Sequence, residues 1–146
     1  MQIIEIAQLP HVRFGIAPFR EIRLVASPWT TGSDMVIVHA FLPPGSISEG
    51  HVHPDADEYI HFDIGGTCVI DGVAHEIAPG AVVLARKGEN HECRNTSPDQ
   101  VLNLYCVFSP AFAPYGAYPE LIGRTKEFLQ KQASPDISGN LEEVSL

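Results

Sequence analysis

GSISEGHVHPDADEYIHFDIG, residues 45–65, is the stretch on which the fold turns. Its H-x-H lies just after a glycine and just before a proline, on chain that reads as extended. Residues two apart on an extended chain point the same way, so the imidazoles of His51 and His53 share a face. From Glu58 onward the pattern alternates: Glu58, Ile60, Phe62 and Ile64 fall on one face, and Tyr59, His61 and Asp63 on the other. The apolar face is the inward one, which places a carboxylate in the interior. That is costly unless something positive pairs with it.

The same period extends in both directions. Upstream, Met35–Leu42 is a β-branched and aromatic run, closed by Pro43, Pro44 and Gly45. Downstream, 67–70 and 73–77 flank Asp71-Gly72, a strong hairpin signal because both turn residues tolerate positive φ. Pro79-Gly80 starts the next turn, followed by strands at 81–85, 91–95 and 101–108. A turn about every ten residues is the spacing of an all-β sandwich or barrel. The barrel core is expected over about 35–108.

The flanks read differently. Residues 1–34 alternate apolar and polar, with strands expected near Ile3–Ile6 and Phe19–Val25 that lie outside the barrel and cover a partner's sheet. After a Pro-rich loop, Leu121, Ile122, Thr125, Phe128 and Leu129 recur at helical spacing. They predict a C-terminal helix over about 119–132, packed on the barrel, and residues 136–146 read as a loose tail. The whole, 1–146, reads as a single domain.

Composition excludes several functions. Nine Lys plus Arg against eighteen Asp plus Glu give a net charge of -9, unsuited to nucleic acid or to an anionic membrane surface. No apolar run approaches the roughly 20 residues of a membrane span. The first ten residues lack the basic start of a secretion signal. Cys68, Cys93 and Cys106 are an odd number without C-x-x-C spacing, which argues for a reducing, cytoplasmic setting.

A second stretch, GENHECRN at 88–95, supplies His91. Three imidazoles and one carboxylate converging inside a barrel suit a divalent first-row metal. From Leu24 through Ala85 there is no Lys or Arg, against Asp34, Glu49, Asp55, Asp57, Glu58, Asp63, Asp71 and Glu76, a bias that favours cation recruitment. Basic residues return at Arg86, Lys87 and Arg94. Arg86 is the first candidate to hold a carboxylate substrate, and His39, on the preceding strand, is a second candidate for the pocket.

Gly45, His51, His53, Glu58 and Gly65 match every position of the first motif of the cupins, small jelly-roll β-barrels, and the sequence resembles that family. Gly80, Gly88, His91 and Asn95 match the second motif, with Ala81 in place of its Asp and Arg86 in place of its Pro. The resemblance covers about 36–108. It implies a jelly roll, a small-molecule substrate or ligand, and His51, His53, Glu58 and His91 as ligands of one iron, manganese, nickel or zinc ion. It also implies a homodimer, since cupins commonly pair. Two classes of function follow: a metal-dependent enzyme, dioxygenase-type first and isomerase, decarboxylase or lyase second, or a non-catalytic binder of a small ligand. Retention of Glu58 speaks against the thiol dioxygenases, whose members use three histidines.

Overall fold

The computed structural model describes residues 1–133; the tail expected at 136–146 lies outside the described residues. The described chain forms β1 (Val12–Phe14), β2 (Arg20–Ala26), β3 (Val36–Leu42), β4 (Asp57–Phe62), β5 (Gly66–Ile70), β6 (Val73–Ile77), β7 (Val82–Ala85), β8 (His91–Arg94), β9 (Leu102–Ser109) and α1 (Tyr118–Ala133). Two antiparallel sheets face each other, with orders β1-β2-β3-β9-β4-β7 and β6-β5-β8. This is a jelly-roll arrangement with one C-terminal helix.

The period of two explains the core. Val38 stands opposite Cys106 on β9, and Cys106 stands opposite Ile60 on β4, so one inward row crosses three strands. The next row joins Ala40, Leu104 and Phe62. All six are buried, with Phe62 fully enclosed. Asp71 (φ 47°) and Gly72 (φ 82°) make the hairpin between β5 and β6, both in the left-handed region that such a turn requires.

The amino-terminal segment departs from expectation. No strand forms over Ile3–Ile6; a short 3-10 turn covers Ile6–Gln8. Among the first ten residues only Leu9 is buried, and Pro10 follows it, so no second apolar position anchors a strand there. Nor do the strands that do form stand outside the barrel. β2 pairs with β3 of its own chain from Glu21↔Phe41 to Ala26↔Ile37, and buries Ile22 and Leu24 in the common core.

Helix α1 turns Leu121, Thr125 and Leu129 inward, one helical turn apart, and lies beside β2. Among the described residues no helix is long and apolar enough to cross a membrane.

Candidate metal centre

Each of the four sequence-predicted ligands is placed by backbone pairing. Glu58 lies near the start of β4, and its even parity sends it inward with Ile60 and Phe62. His91 opens β8. His51, on the chain leading to β4, forms a bridge to it: each backbone N–H donates to the other's carbonyl, at 3.1 and 3.0 Å. His53 follows two residues on, on the same side. One ligand-capable atom from each of the four lies within 4.8 Å of all the others, and the group could hold a metal ion.

Hydrogen bonds fix the rings. Nδ1 of His51 donates to the Glu49 carbonyl at 2.8 Å, and Nδ1 of His91 to the Glu89 carbonyl at 3.2 Å. Each bond turns Nε2 toward the centre, as an oriented metal-binding imidazole needs. His91 Nε2 stands 2.8 Å from Oε1 of Glu58, and His53 Nε2 3.3 Å from the same oxygen. His53 Nε2 is nevertheless buried without a hydrogen-bond partner, because the approach is badly angled. An orphaned buried nitrogen aimed at a shared carboxylate is what a cation would satisfy, so the donor set fits a metal.

The electrostatics agree. Burial lowers His51 to about 4, which leaves its ring neutral and its lone pair free at neutral pH. Burial alone would raise Glu58, but the close imidazoles of His53 and His91, the latter hydrogen-bonded to it, outweigh burial and hold the carboxyl at about 2. Burial likewise works against a charged His91, and the Glu58 carboxylate overcomes it and raises the ring.

The cluster forms part of the wall of a cavity of about 50 Å³, whose apolar walls include Ile22, Val38, Ala40, Ile60, Leu104 and Phe108. Cys93 and Cys106 also line it. The hydrogen bond with Cys68 and burial push Cys93 well up, and burial does the same for Cys106, so both stay thiols. Phe112 packs on His53 at 5.8 Å between ring centroids, and Tyr115 and Tyr118 close the cavity from the segment after β9.

Two expected pocket residues lie elsewhere. Arg86 is not in the cavity. Its side chain is 65% exposed and reaches Asp57 at 3.7 Å, because Ala85 faces inward and the next residue must face out. His39 has the wrong parity on β3: Val38 and Ala40 face the cavity, while His39 sits on the outer face, 2.8 Å from Asn103 Oδ1 and stacked near Tyr105. The guanidinium that does line the cavity is Arg20. Its parity with Ile22 and Leu24 on β2 was the available signal. Tyr115 and Tyr118 come from an aperiodic Pro-rich segment and its junction with α1, which gave none.

A two-sheet jelly roll thus gathers three histidines and a glutamate on its inner wall, a group that could hold a metal ion. The family model described as a cupin domain matches residues 38–108, just under half of the chain, and the chain is similar to the cupins over that stretch. It is 28% identical over 90 residues to uncharacterized protein L612 of Acanthamoeba polyphaga mimivirus, a match that takes in 59% of this chain and 56% of that protein. The chain thus spans little more than half of that relative's length. Its fold is similar to that of a predicted oxalate decarboxylase from Thermotoga maritima (TM-score 0.65, 20% identity, 73% of this chain and 97% of the other). It is also similar to a cupin 2 conserved barrel domain protein from Rhodopseudomonas palustris (TM-score 0.60, 13% identity, 73% and 75%).

Proposed function

We propose that the protein is a mononuclear metal enzyme acting on a small organic molecule, with oxygen-dependent cleavage as its first reaction class. The observation that carries this reading is that all four ligand candidates line one interior cavity, with no fifth group in their cluster among the described residues. A divalent ion on His51, His53, Glu58 and His91 would supply a Lewis acid with free positions, and as iron a site for dioxygen; manganese, nickel and zinc suit the same donors. The chain's own part is to orient and to exclude water. Carbonyls of Glu49 and Glu89 hold two imidazoles in place, and the apolar walls keep bulk solvent from the reacting atoms.

One observation favours a second reading, a redox-neutral isomerase, decarboxylase or lyase. Tyr115 and Tyr118 line the cavity, and burial raises both phenols, so each holds a proton at neutral pH. Such reactions need a proton delivered beside the metal. The buried, unpaired thiols of Cys68, Cys93 and Cys106 support a cytoplasmic setting for either.

Ferrous loading under anaerobic conditions, followed by nitric oxide, tests the open site. A high-spin iron–nitrosyl signal in the paramagnetic resonance spectrum is expected. Its absence from iron-loaded protein, with four protein ligands confirmed, means a sealed metal and a non-catalytic binder of a small ligand.

A homodimer is the assembly we favour. Ile3, Ile16 and Phe19 are exposed at the amino-terminal end, and Tyr59, Val82 and Tyr105 on the outer face of the larger sheet. Apolar groups spread over both surfaces suit cover by a second copy. Light scattering at micromolar concentration should return twice the chain mass; a monomer there rules the pairing out.

A further inference from the structure

We propose that Arg20 is the anion-binding residue of the cavity and that its ligand is a small organic acid, carboxylate on the guanidinium and the rest of the molecule toward the metal candidates. The inference rests on the reading that His51, His53, Glu58 and His91 hold a metal, and it adds the class of substrate.

Arg20 opens β2 with the same parity as Ile22 and Leu24, which turns it inward. Its guanidinium lies 5.0 Å from the centre of the Phe14 ring, a contact that fixes the fork in one plane. Gly15 makes room for it. A Cβ there would come within 2.9 Å of Nη1, and φ of +83° disfavours any side chain at that position.

The fork is underused. Of its five N–H groups, hydrogen bonds among the described residues engage a single nitrogen, Nη1, with the Ile47 carbonyl at 3.4 Å. None of the ion pairs among the described residues includes Arg20. A partly buried, unmatched guanidinium beside an apolar wall calls for an anion. Glu49 is the available rival: its Oε1 lies 3.3 Å from the same Gly15 Cβ position, on an exposed side chain. Glu58, a carboxylate that does line the cavity, is already engaged by His91.

Among the described residues no other Lys or Arg lines the cavity. With a divalent ion on the cluster, its two positive centres face a space of about 50 Å³. At ~10–15 Å³ for each water, that is room for about four waters, so the acid has only a few heavy atoms. The Tyr115 and Tyr118 phenols line the same space and can donate to a carboxylate or to a hydroxyl beside it.

Calorimetry on zinc-loaded protein with glycolate, lactate and pyruvate, each against its neutral amide, tests the assignment. At least one acid should bind in the millimolar range or tighter, and its amide about tenfold or more weaker. Arg20→Met should weaken the acid about 10- to 100-fold with zinc content unchanged. Arg20→Lys, which keeps charge but not the fork, should fall between. Arg86→Ala should bind as the unaltered protein does, and Glu49→Gln at least as tightly. Equal binding of acid and amide, binding of none of the acids, or full acid affinity in Arg20→Met overturns the proposal. If Arg20→Met does not fold, unaltered affinity in Arg20→Lys together with equal binding of the amide overturns it. Zinc content by elemental analysis keeps the two readings apart: no zinc uptake by the unaltered protein refutes the metal, whereas Arg20-dependent acid binding in zinc-free protein leaves the anion site standing.

Discussion

Protein carrying His51→Ala and His91→Ala together will fold and come off the column with its bound metal nearly gone. Half the donor set is removed, and His53 with Glu58 cannot hold a transition ion against dilution. The barrel survives because, although His91 is among its largest enclosed side chains, the apolar ones, including Leu24, Leu42, Phe62 and Leu102, are untouched. It survives with a lower melting temperature. Glu58 stays buried with a single imidazole near it, and breaking a buried charge pair costs about 3–5 kcal/mol. Elemental analysis beside circular dichroism checks both halves. Full metal occupancy in folded double variant removes the site.

Asn95→Ala should cost about 3 kcal/mol of stability while sparing metal content in the protein that remains folded. The Asn95 side chain is enclosed and fully used: Nδ2 donates to the Leu42 carbonyl at 2.9 Å and the Gln100 carbonyl at 2.8 Å, and Oδ1 accepts from the Ser97 N–H at 2.9 Å. Truncation strands these backbone groups where water reaches poorly, and each stranded group carries its own desolvation penalty. The denaturant midpoint should fall with its slope unchanged. A midpoint equal to that of the unaltered protein would show that Asn95 is incidental.

Asn95 also shows how far the sequence could be read. The motif picked the residue out, but its work is to tie the loop between β8 and β9 to the end of β3, and no local spacing reveals its Leu42 partner. His51, His53, Glu58 and His91 were legible because the strand period and the motif spacing coincide. Glu58 could be placed inside from alternation alone. Arg86 flanks His91 along the chain, but it follows the inward-facing Ala85 and so points outward, and parity decides where a strand residue points. Arg20 belongs to neither motif, and it reaches the cavity through the pairing of β2 with β3, a contact between distant segments. The run at Ile3–Ile6 had the alternation of a strand without a partner to bury it, and pattern alone does not supply one.

Glu58 belongs to the larger sheet and His91 to the smaller, and their side chains meet at 2.8 Å across the gap between them. An ion seated there would act as a rivet through both walls. Opening the sandwich at that end would then mean rupturing coordination bonds as well as separating apolar surfaces. Breathing of the barrel near the ligands would be throttled by occupancy, and the two sheets would part most readily in the chain that has yet to acquire its ion.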